Sequence, residues 1–174
     1  TIIAKDRSSS LLERLYTTPL KPIDFILGYT LPIIPISVAQ AIICYLTAIF
    51  IGLDFTVNII YAIVFIVPVS LLYIALGLLC GSILTDKQVG GICGALLTNL
   101  SAWLSGVWFD LKLVGGFFEK VANVLPFVHA AEMEKALFSG NLELALTHVT
   151  PIILYSVFIT AIAVLSFLRQ MKKQ

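Results

Sequence analysis

The 174 residues are 59% hydrophobic and 12% charged, with a mean hydropathy of +1.02 and a net charge of +1. That balance excludes an ordinary water-soluble domain, because so little polar surface cannot cover so much apolar side chain. The charges are also segregated: residues 25–53, 55–85, 88–109 and 144–168 contain no Asp, Glu, Lys or Arg, and each run is long enough to cross a bilayer as a helix.

Buried helices of soluble proteins seldom run so long, and barrel strands would alternate apolar and polar residues instead of running continuously apolar. The expected fold is therefore all-α: a polytopic membrane bundle of four transmembrane helices, with a short cytoplasmic amphipathic helix and short helices on the outer face. A single membrane domain covers 1–174, since no linker, repeat or low-complexity block divides it.

Residues 1–22 precede the first apolar run. Ser10 and Glu13 have the spacing of a capping box, and Leu11, Leu12 and Leu15 share one side of the short helix that follows. Pro19 ends it and Pro22 opens the next. The first span is expected over 23–51, kinked by Pro32 and Pro35, and the second over 56–84, where Gly77 and Gly81 would let another helix approach closely.

A very short loop, Thr85 to Gln88, leads to a third span over 88–108 that opens on Gly90, Gly91 and Gly94 and closes on the interfacial Trp103 and Trp108. Residues 109–149 are too polar to span. Val114, Phe117, Phe118, Val121 and Leu125 recur at helical spacing on one interfacial face, and a second short helix is expected from Ala130 to Phe138, stopped by Gly140. Thr150 and Pro151 suit a cap and first helical residue, so the last span is expected over 150–168. With both ends of this segment cytoplasmic, Lys5, Arg7, Arg14, Lys21, Lys87, Arg169, Lys172 and Lys173 lie inside, and only Lys112, Lys120 and Lys135 outside.

Little here suggests catalysis. No phosphate-cradling loop occurs, so ATP hydrolysis is not expected in this chain. His129 and Glu132 are too few ligands for a metal site, and His148 reads as an interfacial polar residue. The acids Asp110, Glu119, Glu132, Glu134 and Glu143 read as solvated. Cys44, Cys80 and Cys93 read as small packing residues without a disulfide framework. The most polar residues within the expected spans are Gln40 and Asn99, each a candidate for touching a substrate, though interhelical hydrogen bonding is the simpler use.

Several blocks together resemble one family. Leu11-Leu12-Glu13-Arg14-Leu15, then Thr17-Thr18-Pro19-Leu20 and Ile26-Leu27-Gly28-Tyr29, look like the first cytoplasmic loop and following span of the type-2 exporter permeases, the membrane subunits of ATP-binding-cassette transporters. Ser105-Gly106-Val107-Trp108-Phe109-Asp110, Pro126-Phe127, Ala130-Ala131 and the stretch Lys135 to Gly140 look like that family's outer region before its last span.

The resemblance implies that residues 10–20 form a coupling helix contacting a nucleotide-binding ATPase subunit, with Leu11, Leu12 and Leu15 as anchors and Glu13 and Arg14 as orienting charges. It also implies a second permease subunit, identical or different, a plasma-membrane location, and ATP and magnesium in the partner rather than here. Lipid surrounds the chain, and nucleic acid is not an expected partner. The family usually has six spans, so the first two are expected to be missing from the N-terminus. Lys5 to Ser10 also depart from the family's acidic-basic-Gly-Thr sequence at that place. The implied function is export of a drug, lipid or saccharide-type substrate. A membrane assembly or scaffold protein, or a channel or secondary carrier, would use similar helices.

Overall fold

The computed structural model describes residues 22–171. The docking-segment residues Leu11, Leu12, Glu13, Arg14 and Leu15 lie outside the described residues. Helix α1, Pro22–Ile51, carries Asp24 in its first turn, where a carboxylate complements the helix dipole, and continues through Pro32 and Pro35. It ends in a Schellman turn: the amides of Gly52 and Leu53 donate to the carbonyls of Ile49 and Ala48 at 3.1 and 3.0 Å, with Gly52 at φ +117°. Helix α2, Asn58–Ile83, returns through Pro68.

The third apolar segment is helical from residue 86 to 104 but not uniform. It consists of α3 (Asp86–Gly91), a π-helix (Ile92–Leu97) and α4 (Thr98–Leu104). Thr85 and Gln88 form a capping box that starts it. The π-helix begins just beyond Gly90 and Gly91, where propensity for regular α-helix is weakest, and the Thr98 hydroxyl donates to the Cys93 carbonyl five residues back at 3.0 Å. The run stops at Leu104, not Trp108. Ser105 and Gly106 turn the chain, Gly106 at φ +69°, and Trp108 lies beyond the helix, 69% exposed.

Three further differences from expectation have local causes. Gly115 and Gly116, at φ +62° and +61°, separate α5 (Leu111–Val114) from α6 (Gly116–Val124), so the presumed single apolar face is broken. Phe118 and Leu125 turn inward onto Leu104, Ala122 and Phe127, whereas Val114 and Phe117 face outward. Helix α7 (Pro126–Phe138) begins at Pro126, a residue preorganised for the first helical position, instead of at Ala130.

Helix α8 (Leu142–Met171) begins at Leu142 and not at Thr150. Asn141 accounts for this: its amide closes the Schellman turn of α7 by donating to Ala136 at 2.9 Å, while its side chain accepts from the Leu144 amide at 3.1 Å as an N-cap. Gly140, at φ +76°, makes the turn possible. Pro151 lies inside α8 and removes one backbone donor without ending the helix.

Three of these helices contain stretches long and apolar enough to cross a membrane: Ile26–Ile51, Asn58–Ile83 and Leu142–Phe167. Helix α2 is the centre. A third of its apolar window is buried (33%), against 0% for α1. Leu72, Ala62, Met133, Leu137 and Ile152 form the main core, joining α2, α7 and α8. A smaller cluster of Ile74, Leu78 and Ala163 meets Ile26, Tyr29 and Ile34 of α1 at the other end. The protein is an all-α membrane bundle.

Candidate functional site

Between these two contact regions α1 and α2 do not close against each other. They border a groove of about 690 Å3 running from Tyr29 and Leu78 to Tyr45 and Ile66. At 1.5 Å per residue, Tyr29 to Tyr45 covers roughly 24 Å of helix, a large part of a hydrocarbon core. Its walls are mostly apolar, with Ser37, Gln40 and Ser70 and the rings of Tyr29, Tyr45 and Tyr73 as polar or aromatic elements. None of the lining side chains is Asp, Glu, Lys or Arg.

The local chemistry explains which polar groups remain available. Ser37 donates to the Ile34 carbonyl at 2.7 Å and Ser70 to Val67 at 2.8 Å, so these hydroxyls satisfy their own helices near prolines. Gln40, one of the two polar residues singled out from the sequence, lies exposed on the groove wall. Asn99 does not join it: its side chain donates to the Ala95 carbonyl at 2.7 Å, one turn back in the same helical run. That bond is neither a groove contact nor an interhelical link. At Gly77 a Cβ would meet nothing within 4 Å among the described residues, so there the residue widens the groove. Tyr73 separates this groove from a smaller cavity of about 350 Å3 bordered by Cys93, Leu97 and Ser101.

At the Tyr45 end the groove meets α7. The Tyr45 hydroxyl donates to Glu134 Oε2 at 2.9 Å, and the Tyr45 ring tilts against Phe138 at a centroid distance of 5.7 Å. Glu134 is therefore not the solvated acid expected from sequence. Its Oε1 is buried and has no hydrogen-bond partner among the described residues. Burial raises its pKa to about 7, with the Tyr45 hydrogen bond opposing the shift. The neighbouring Lys135 instead pairs with Glu132 at 2.9 Å on the exposed side. Asn58 fastens the same corner, its side-chain amide donating to the Phe138 carbonyl at 3.1 Å.

His129 and His148 also come together, Nδ1 to Nδ1 at 3.0 Å across α7 and α8. Burial, then the facing His148, pushes the His129 pKa below the ordinary histidine range. Sequence grouped His129 with Glu132 and treated His148 separately; a spacing of 19 residues across a turn carries no helical-face signal. No group of three or more His, Cys, Asp or Glu residues suited to a metal occurs among the described residues. Cys44, Cys80 and Cys93 are free.

A long apolar groove in a helical membrane bundle suits passage of a solute better than chemistry on one, and the family comparison agrees. The sequence model of the ABC-2 family transporter proteins matches residues 1–165. The chain belongs to the ABC-2 transporter family. No curated protein and no solved structure matches it. As an ABC-2 membrane protein it is a multi-pass permease with a transport role, and in this family ATP hydrolysis resides in a separate subunit. ABC-2 membrane subunits typically work with that ATP-binding subunit.

Proposed function

We propose that this chain is the permease subunit of an ATP-driven exporter that moves an amphipathic substrate of the drug, lipid or saccharide-conjugate type across the plasma membrane. The observation that supports this best is the groove between α1 and α2: it is open to a solute, extends along most of a membrane-spanning helix and is apolar with a few polar groups, among them Gln40. Such a surface receives a molecule with an apolar body more readily than an ion.

Force enters through residues 10–20, where Leu11, Leu12 and Leu15 anchor a short helix on a nucleotide-binding subunit and Glu13 and Arg14 orient it. Nucleotide-driven closure of two such subunits, carrying ATP and magnesium, moves this chain and a second permease subunit as rigid bodies. The docking segment and the end of α8 face the cytoplasm, and α5 to α7 face outward.

The test is co-expression of the full-length protein with its candidate ATPase, followed by purification through a tag on one of them. The wild-type pair copurifies, and Leu12→Glu combined with Leu15→Glu abolishes the association. Retained association in the double variant removes the docking assignment, and no association in the wild type removes the exporter reading.

A further inference from the structure

The groove has a feature that a purely apolar path does not need. Its wall is uncharged, yet at one end Tyr45 hydrogen-bonds to a carboxylate withdrawn from water, 2.9 Å from the tyrosine hydroxyl. One oxygen of Glu134 accepts that hydroxyl. The other is buried without a hydrogen-bond partner among the described residues. Placing an acid there is costly when no cation accompanies it, because burial penalises the charged form and one hydrogen bond does not offset the lost hydration.

Among the described residues the neighbouring groups do not supply a cation. Lys135, adjacent in sequence, is directed to Glu132. Helix α1 contributes the Tyr45 hydroxyl, and Asn58 of α2 is used on the Phe138 carbonyl. The rings of Tyr29, Tyr45 and Tyr73 line the approach, and aromatic faces attract cations as well as apolar bodies.

We infer that the groove takes a cationic amphiphile, a molecule with an apolar body and an ammonium-like centre, whose charge pairs with Glu134 at the Tyr45 end. The body lies along the apolar wall beside Ile33, Ile66 and Val69, and Gln40 offers a neutral polar contact partway along. Rotation of the Tyr45 side chain frees Oε2 and opens the carboxylate to the groove, so Tyr45 acts as a positioning residue that covers the acid when no ligand is present. Charge complementarity in a site of low dielectric then discriminates a cation from a neutral molecule of the same shape.

This inference rests on reading the groove as substrate-facing. Its test measures binding without the ATPase, so its failure is distinguishable from failure of the exporter reading. The full chain is reconstituted in nanodiscs of zwitterionic lipid at pH 8, above the Glu134 pKa of about 7. Binding of tetraphenylphosphonium, a lipophilic cation, is compared with that of neutral triphenylphosphine. The wild type binds the cation saturably and more tightly than the neutral probe. Glu134→Gln weakens the cation at least tenfold and leaves triphenylphosphine unchanged. Glu134→Asp, which keeps the charge, retains preference for the cation even where Glu134→Gln loses both probes. Equal binding of the two probes by the wild type overturns the assignment, as does cation binding indifferent to Glu134→Gln or a Glu134→Asp variant with no preference.

Discussion

The two sides of α2 are built on different rules. Towards α7 and α8 it presents Ala62 and Leu72, both 0% exposed, to Met133, Ala136, Leu137 and Ile152. Small alanines let the helices approach, and the larger side chains fill what remains, as expected where van der Waals packing drives helix association in lipid. Towards α1 the same helix touches its neighbour through Ile74 and Leu78 and, beside that contact, lines the groove with Ile66, Tyr73 and Gly77. One side is a joint and the other a wall, so a substitution of the same chemical size should have different consequences on each.

The largest expected difference comes from cutting back one aliphatic side chain on each side. Leu72→Ala leaves a cavity in the joint and should cost about 2–4 kcal/mol, whereas Ile33→Ala on the groove wall, where the side chain is 41% exposed, should cost about 1 kcal/mol or less. Thermal unfolding of both variants in the same detergent measures the contrast. Equal losses would mean that the groove closes in the folded protein and that the joint-and-wall distinction is false.

Next in size is the effect of Glu134, which sits where the joint and the wall meet. Its folded pKa of about 7 is above the ordinary carboxylate value near 4.3. The folded state therefore holds the proton more tightly than the unfolded state between those values. Stability from this group falls as pH rises through that window, and the cost is fully present only well above the folded pKa of about 7. Glu134→Gln keeps an acceptor for Tyr45 and removes the charge. It should stabilise the protein by on the order of 2 kcal/mol at pH 8 and change little near pH 4. Melting temperatures of the variant and wild type, compared at both values, decide it. A variant that is less stable at pH 8 would show that the ionised carboxylate has a partner within the fold. If it is more stable, the acid is retained at a cost to the folded state, as expected of a residue kept for a ligand.

How much of this could be read beforehand follows from distance along the chain. The long apolar runs announce α1 and α2, because length and lack of charge are local properties. The start of α8 was obscured because Thr150-Pro151 is a sound local start signal that a stronger one, Asn141 with its two roles, precedes. Gln40 stands out in the sequence because it is a polar residue in an apolar run. Glu134 does not, because its burial depends on Tyr45, 89 residues away, and an acid between Glu132 and Lys135 reads as part of a solvated face. The groove was invisible for a related reason: it is space between two helices, and neither sequence alone describes the distance separating them.

The smallest effect tests the wall itself. Glycine in a helix interior costs roughly 0.5–1 kcal/mol relative to alanine, so an unnecessary glycine in the middle of α2 calls for a reason. Among the described residues no helix packs on Gly77, and an added Cβ meets nothing within 4 Å. Gly77→Ala should therefore leave stability unchanged or raise it by up to about 1 kcal/mol, while placing a methyl group in both the main groove and the smaller cavity behind Tyr73. If the groove carries substrate, that methyl should reduce binding of the bulkiest ligands before it affects slender ones, measured as affinity across a series of increasing width. Loss of stability in Gly77→Ala would instead place a helix against Gly77 in the assembled transporter, and α2 would then have two joints and no wall at that level.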